Sequence, residues 1–259
     1  MNNKGQIGFL AAALFAAAGA ASAQAQTNAP APVTNSPTAW KSSVAAGLTL
    51  TRGNSDTLLA TASAGTDKKW NHNELSLAAD GAYGETKNIP SGKQTENAES
   101  LHGVAQYNRL FSDRFYGYGR VEGLHDVVAN VQYRLTLAPG AGYYVIKNKI
   151  TDLCLEAGPG FIAEKLDDHC SSFMTLRAGE KFHHKLSDRA RIWQTAEFLP
   201  EVDHFDNYIF NGELGIEADI TPDKKLTLRS FLQDMYNNIP APGRLKNDAK
   251  LVTAIAYKF

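Results

Sequence analysis

A strict alternation of apolar and polar residues runs through much of this chain and restricts its fold. From Tyr208 to Ile220, one set of alternate positions is apolar or small, whereas the other carries Glu213, Glu217 and Asp219. A period of two residues is that of a β-strand, in which successive side chains point to opposite faces of the sheet. This segment is therefore predicted to be a strand with one apolar and one acidic face.

The same pattern recurs at residues 75–83, 131–137 and 251–259. In the second of these segments, we expect Val131 and Leu137 to share the apolar face. Several of the alternating segments reach about 12 residues, whereas strands of globular sheets most often have about 5–6. A strand that crosses a membrane needs about 9–11 residues, so these lengths favour transmembrane strands.

The strands are joined by connections of two lengths. We predict twelve strands, over residues 41–52, 57–66, 73–84, 98–110, 115–126, 131–145, 152–165, 172–186, 189–200, 208–220, 225–237 and 249–259. Short charged turns fall at 67–69, 111–114, 147–149, 186–189 and 221–224, and longer loops at 85–97, 166–171, 201–207 and 237–248. The predicted fold is all-β, an antiparallel up-and-down transmembrane β-barrel of about 12 strands with short periplasmic turns.

The N-terminus has the grammar of a secretory signal. Lys4 precedes an apolar run over residues 7–18, and Ala21-Ser22-Ala23 forms a small-residue cleavage site. We predict a signal peptide over residues 1–23, with cleavage after residue 25 as the alternative, and a flexible proline-rich leader over 24–39. The barrel domain then covers residues 40–259. A formal net charge of −1 argues against nucleic acid as a partner.

Aromatic residues cluster near the predicted strand ends, which is typical of the two interfacial girdles of a membrane barrel. The alternative is the core of a β-sandwich. The residues concerned are Trp70, Tyr83, Tyr107, Phe111, Tyr143, Tyr144, Trp193, Tyr208, Tyr236 and Tyr257.

Several short motifs, in their order along the chain, resemble those of the YdiY-like family, a group named for salt-induced outer-membrane proteins. They are residues 53–57, 110–120, 155–161, 184–188, 199–200 with 206–208, and 237–243, and the likeness covers Trp40 to Phe259. The resemblance implies a barrel in the bacterial outer membrane, in contact with outer-membrane lipid, and it implies no activity or cofactor. The terminal Tyr257-Lys258-Phe259 also resembles the signal that the barrel-assembly machinery recognises. The alternative is a strand that simply ends in Phe259.

Charged and polar residues occupy the predicted inward positions and are candidates for a lumen site. They are Arg120, Glu122, Arg134, Glu156, Arg177, Glu213, Glu217 and Arg229, with Glu74, Asp80, His102, Gln106 and Lys250 on the same faces. One interpretation is a charged constriction that selects small solutes or ions. The other is a set of cross-strand ion pairs that fills the barrel and serves a structural role under envelope stress.

Two predicted outer loops carry carboxylates and imidazoles. Asp168 with His169, and Asp203 with His204, are weak candidates for a divalent-cation site or for a protease-type pair that activates water. A solvated acidic rim is the simpler interpretation. A lipase-type His-x-Ser-Asn motif is absent from the sequence. We therefore assign no catalytic residue and expect no enzymatic activity; the alternative is a barrel enzyme of protease or lipase type with a site on these loops.

Cys154 and Cys170 are the two cysteines of the chain. Secretion would favour a disulfide. The predicted topology opposes it, because Cys154 begins a strand at the periplasmic end and Cys170 lies in the following outer loop. Two free thiols are expected.

Overall fold

A computed structural model describes residues 39–51, 55–88 and 94–259. Twelve strands make up its secondary structure: β1 (Lys41–Thr51), β2 (Ser55–Trp70), β3 (Asn73–Asn88), β4 (Gln94–Leu110), β5 (Phe115–Asp126), β6 (Val131–Lys147), β7 (Thr151–Leu166), β8 (His169–Lys185), β9 (Ala190–Pro200), β10 (Tyr208–Asp219), β11 (Leu226–Asn237) and β12 (Asn247–Lys258). The predicted signal peptide and nearly all of the predicted leader lie outside the described residues.

Each strand pairs with its neighbours in the sequence, and β12 pairs with β1, so the sheet closes into a barrel. All pairings are antiparallel, and Ser42 and Phe259 exchange backbone hydrogen bonds at the closure. The predicted twelve-stranded antiparallel barrel is confirmed. Because the strand number is even, the start of β1 and the end of β12 lie at the same end of the barrel. We call this the terminal end and the opposite one the loop end.

The alternating pattern separates the two faces of the wall. On β10, Leu214 and Ile216 are 55% and 46% exposed, whereas Glu213 and Glu217 on either side of them are buried. The outer surface is thus apolar and suited to lipid, and the polar faces turn inward. Within the described ranges, no helix is long and apolar enough to cross a membrane.

Strand ends differ from the prediction where turn chemistry, rather than charge, ends a strand. The charged residues 67–69 were expected to form a turn, but β2 continues to Trp70 and the chain reverses at Asn71, which has a φ of 49°. The expected loop at 166–171 is a turn of two residues in which Asp167 has a φ of 54°. Asn and Asp adopt this left-handed conformation more readily than most residues.

The turn between β10 and β11 is held by side chains. The Thr221 hydroxyl donates to Asp223 over 2.5 Å, and this bond lowers the pKa of the Asp223 carboxyl. Asp223 also accepts a hydrogen bond from the Lys225 amide. Such local bonds favour a short, fixed connection at the terminal end.

The prediction that Val131 shares the apolar face of its strand with Leu137 is wrong. Val131 is buried, whereas Tyr133, Leu135 and Leu137 are exposed. The register between β6 and β7 shifts between Val131 and Tyr133. A bulge inserts one extra residue and so reverses which face the residues on either side occupy.

The aromatic girdle was predicted too broadly, because Tyr144 and Trp193 are buried inside the barrel. Trp193 lies over its cross-strand partner Gly215, and Tyr116 lies over Gly142 in the same way. A glycine leaves room for a ring to lie flat against the wall. These rings therefore fill the interior, while Tyr83, Tyr107 and Tyr143 remain on the outer surface.

Both cysteines are free thiols, as predicted; Cys154 is buried and Cys170 exposed. In the β7–β8 pairing, Cys154 is opposite Lys181, and Cys170 is opposite Lys165. Eleven residues of β7 separate the two levels, about 37 Å at the usual rise of a strand, so a bridge cannot form.

Candidate functional site

The predicted lumen residues lie on the inner face of six strands: Arg120 and Glu122 on β5, Arg134 on β6, Glu156 on β7, Arg177 on β8, Glu213 and Glu217 on β10, and Arg229 on β11. Each side chain is buried or mostly so. Their partners often lie on strands that are not neighbours in the sheet. Such contacts can be made only across the interior of the barrel.

Glu156 is the centre of the largest polar cluster. It accepts hydrogen bonds from Gln106 on β4 at 2.9 Å, from Tyr116 on β5 at 2.7 Å, and from Arg177 and Lys181 on β8 at 2.9 and 2.8 Å. The Glu156 carboxylate is completely buried, with 0% of its side chain exposed. A buried charge is tolerated when it is fully paired in this way.

Further bonds extend the cluster across the lumen. Lys181 donates to Gln106 over 3.2 Å, and Arg177 donates to the Tyr118 hydroxyl over 2.9 Å. Glu197 on β9 pairs with Arg177 and lies 3.9 Å from Arg120 on β5. The cluster, which we call the central network, therefore spans the interior from β4 to β9.

A second cluster lies nearer the terminal end. Glu217 pairs with Arg191 and accepts hydrogen bonds from Arg229 and Lys258, each at 2.9 Å. Lys258 also reaches Asp219 at 3.0 Å. Three cations thus surround one carboxylate that is 2% exposed.

On β4, His102 lies between two carboxylates. Its Nδ1 is 2.9 Å from Asp80 Oδ1 and its Nε2 is 3.1 Å from Glu122 Oε1. Glu122 also pairs with Arg120 at 2.5 Å. Asp80, His102, Glu122 and Arg120 thus form a continuous series of contacts, which connects β3 and β4 to the central network.

The other side of the lumen is apolar. Leu59 on β2, Trp193 on β9, Phe231 on β11 and Val252 on β12 form one buried cluster. Trp193 also donates its indole N–H to Glu213 over 2.6 Å. Because β2 and β9 lie far apart in the sheet, this cluster also crosses the interior. The central network and this apolar cluster together bridge the middle of the lumen.

A cavity opens above this bridge, toward the loop end. Its empty volume is about 890 Å³, including the solvent space at its mouth. We call it the vestibule; it is lined, among others, by Asp126, Arg134, Glu213 and Lys250, and Arg120, Arg177 and Lys181 of the central network form its floor. Near the mouth, Lys250 on β12 lies 3.9 Å from Asp126 on β5. Charges of both signs thus face a water-accessible space.

A family model described as "Protein of unknown function, DUF481" matches residues 44–259, which is most of the chain. The chain belongs to the DUF481 family. No curated protein matches this DUF481 chain.

Solved structures similar to this DUF481 chain include a porin, the translocator domain of an autotransporter and an outer-membrane channel. The NanC porin matches with a TM-score of 0.51 and 7% identity, over 85% of this chain and 100% of that one. The translocator domain of the autotransporter NalP from Neisseria meningitidis matches with a TM-score of 0.45 and 16% identity, over 85% and 87%. The channel DcaP of Acinetobacter baumannii matches with a TM-score of 0.41 and 8% identity, over 86% and 96%. At these identities, the NanC match shows a shared fold alone.

The loop residues considered for a metal or protease site are not assembled in this DUF481 barrel. Asp168 is 87% exposed and lies 3.8 Å from Lys165. The Val202 amide donates a hydrogen bond to the Met174 carbonyl. Asp203 and His204 therefore follow a residue that lies beside Met174 of β8. His169 lies five residues beyond Met174 along β8, about 17 Å. The part of the chain that the structure describes contains no group of three or more His, Cys, Asp or Glu side chains that could share a metal ion.

Sequence reasoning missed several members of the central network in this DUF481 chain, notably Glu197, Lys181 and Tyr116. On β9, Glu197 shares its face with Trp193 and Leu199, both buried. Their apolar character hid the inward direction of Glu197, because the inner face was expected to be polar. The alternation itself could have found it, since residues 193, 195, 197 and 199 have the same parity.

Proposed function

We propose that the protein is an outer-membrane barrel that admits small polar solutes to the vestibule and lets them pass only when side chains of the central network move. The main support is the set of bonds between non-neighbouring strands at the vestibule floor, such as Lys181 to Gln106 and Arg177 to Tyr118. In narrow pores, charged rings select the solute, and the side chains at the constriction set the barrier.

Lys181 is the member of the central network that can move away from its partners at the lowest cost in free energy. Its side chain is 16% exposed, and it carries a flexible four-carbon stem. When its ammonium group leaves, Glu156 still keeps Arg177, Gln106 and Tyr116 as partners. The Glu156 charge therefore stays compensated while the floor of the vestibule widens.

The test is single-channel conductance of the refolded protein in a planar bilayer. We expect the unmodified protein to be silent or to open rarely, and Lys181→Ala to open more often or to a higher conductance. Lys165→Ala is the matched control, because Lys165 pairs with the exposed Asp168 near the loop end and lies outside the central network. Steady conductance of the unmodified protein would contradict a closed floor.

The second candidate is a permanently filled barrel with a structural role in the envelope. It is favoured by the number of bonds that converge on Glu156, which make the central network rigid. This candidate predicts that the unmodified protein and Lys181→Ala are both folded and both silent. That result would remove the channel proposal.

We also propose that the protein has no enzymatic activity. In support, Asp168 and His169 lie at the connection between β7 and β8, whereas Asp203 and His204 lie at the connection between β9 and β10. The two pairs share no partner among the described contacts. The alternative is a protease- or lipase-type barrel with a site on these loops. It predicts that the refolded protein hydrolyses a peptide or phospholipid substrate, and that His204→Ala or His169→Ala abolishes this activity.

The remaining proposals concern where the protein is found. We propose secretion through the N-terminal signal, assembly by the barrel machinery through the strand that ends at Phe259, and a bacterial outer-membrane location with the terminal end in the periplasm. Salt-induced expression, by resemblance to the YdiY-like family, belongs to the same set. Deletion of Phe259 should lower the amount of folded barrel in outer-membrane fractions, and an unchanged amount would contradict the assembly proposal.

A further inference from the structure

One wall of the vestibule carries buried hydrogen-bond donors that have no hydrogen-bond partner among the described residues. They are Ser100 Oγ on β4, Arg120 Nε on β5 and Arg134 Nη2 on β6, and all three residues line the cavity. The side chains of Arg120 and Arg134 are 6% and 10% exposed. A buried donor without an acceptor costs free energy, which an acceptor from solution can recover.

Of the five carboxylates that line the vestibule, four are engaged, in contrast to these donors, and the fifth, Glu180, lies on β8, away from this wall. Glu122 pairs with Arg120 and His102, Glu197 with Arg177 and Asn211, Glu213 with Trp193, and Asp126 with Lys250 and the Ala129 amide. The spare hydrogen-bonding capacity on the wall formed by β4, β5 and β6 therefore consists of two guanidinium N–H groups, which only donate, and the Ser100 hydroxyl, which can donate or accept. This arrangement favours an anion over a cation.

We infer that the vestibule binds small organic monocarboxylates, with Arg134 as the main contact and Ser100 as a secondary one. The inference rests on the proposed function, because it names the class of solute that the vestibule admits. Arg134 is fixed to Glu164 through its Nε at 2.6 Å. Nη2 is buried and has no acceptor, so an oxyanion bonds to it once a small turn of the guanidinium group about the Nε–Glu164 contact exposes Nη2 to the cavity.

A single negative charge suits this site better than a double one. Glu164 already compensates part of the Arg134 charge. The carboxylates of Glu122, Glu197 and Glu213 face the same space and repel a doubly charged ion more strongly than a singly charged one. At mildly alkaline pH, where inorganic phosphate is mostly doubly charged, it is therefore expected to bind more weakly than a monocarboxylate.

The test is isothermal titration calorimetry of the refolded full chain in detergent at mildly alkaline pH. Gluconate is the probe, sorbitol is its uncharged counterpart of the same length, and inorganic phosphate is the second anion. We expect saturable heat with gluconate, none with sorbitol and weaker binding of phosphate. Arg134→Gln should weaken gluconate binding about tenfold or more, as expected for loss of a charge-assisted hydrogen bond. Arg109→Gln, on the outer surface, should bind as the unmodified protein does.

Ser100→Ala keeps the inference testable if Arg134→Gln does not fold, and it should weaken binding by a smaller factor than Arg134→Gln. Sorbitol heat equal to that of gluconate, tighter binding of phosphate, or unchanged binding in Arg134→Gln would overturn the inference. The measurement is independent of passage. Gluconate binding by a barrel that stays silent in bilayers overturns the proposed channel alone, whereas a conducting barrel that binds no gluconate overturns this inference alone.

Discussion

Glu217 shows how much one buried charge contributes to this lumen. Arg191 and Arg229 pair with it, and Lys258 pairs with both Glu217 and Asp219; these three side chains are 25%, 15% and 27% exposed. We expect Glu217→Gln to lower the free energy of unfolding by roughly 3–5 kcal/mol, because removing one partner leaves buried charges unpaired. Urea titration of the protein in lipid vesicles, followed by the mobility of folded and unfolded bands in gels, measures this change.

The matched control is Asp168→Asn, the same carboxylate-to-amide change at a side chain that is 87% exposed. Its ion pair with Lys165 is solvated, so the expected loss is about 0–1 kcal/mol. Equal losses in the two variants would show that Glu217 is not buried among cations as described.

Gly215 is required because the Trp193 ring occupies the space of a side chain there. A Cβ at position 215 would overlap the ring, which also donates to Glu213 over 2.6 Å. We expect Gly215→Ala to destabilise the barrel by about 1–3 kcal/mol, the usual cost of overpacking. It should also change the tryptophan fluorescence of the folded state.

Gly119 on β5 is the control for this change, since a Cβ at position 119 would meet no heavy atom within 4 Å. Gly119→Ala should fold as the unmodified protein does. If Gly215→Ala, too, unfolds at the same urea concentration as the unmodified protein, the Trp193 ring does not lie over residue 215.

At the level of strands, the closure between β1 and β12 is the shortest pairing among the described strands. These strands pair over four residues, whereas β1–β2 and β11–β12 each pair over eleven. A disulfide between Ala46→Cys and Ile255→Cys, which are cross-strand partners on the outer surface, should stabilise the barrel. The same bridge between Leu214→Cys and Leu232→Cys joins a pair on β10 and β11.

We expect the closure disulfide to add about 2 kcal/mol more than the β10–β11 disulfide, because it closes a far longer loop. The difference between oxidised and reduced forms of each variant in urea gives the two values. A smaller gain at the closure would contradict this expectation and would mean that β1 and β12 stay close together in the unfolded chain.

The alternation predicted the strands well because lipid on one side and a polar interior on the other impose a period of two. Strand ends were less predictable. Charges at 67–69 do not end β2, since they find partners on the neighbouring strand: Ser76 donates to Asp67, and Lys69 pairs with Glu74. The bulge near Val131 was also missed, because nothing in the local alternation distinguishes an inserted residue from a normal one.

At the scale of the whole barrel, parity indicated which residues face inward but not which of them meet. Lys250 and Asp126 are on strands nearly opposite each other, and their approach to 3.9 Å depends on the barrel radius and side-chain length. The same holds for Lys181 and Gln106. Contacts across a lumen arise from closure of the whole sheet, so a pattern within one strand cannot specify them.

Insertion of the whole barrel depends on keeping charge off the outer surface. Leu214 is 55% exposed near the middle of β10, whereas Gln233 on the neighbouring strand is buried and lines the vestibule. Leu214→Arg should lower the free energy of unfolding in vesicles by about 2–4 kcal/mol, the cost of an arginine on the lipid face near the bilayer midplane.

Gln233→Arg places the same charge inside, opposite Glu213 across the β10–β11 pair. It should cost much less, because the carboxylate and the vestibule water compensate the guanidinium group. Urea titrations of both variants in the same vesicles measure the two changes. A larger cost for Gln233→Arg than for Leu214→Arg would mean that the described inner and outer faces are exchanged.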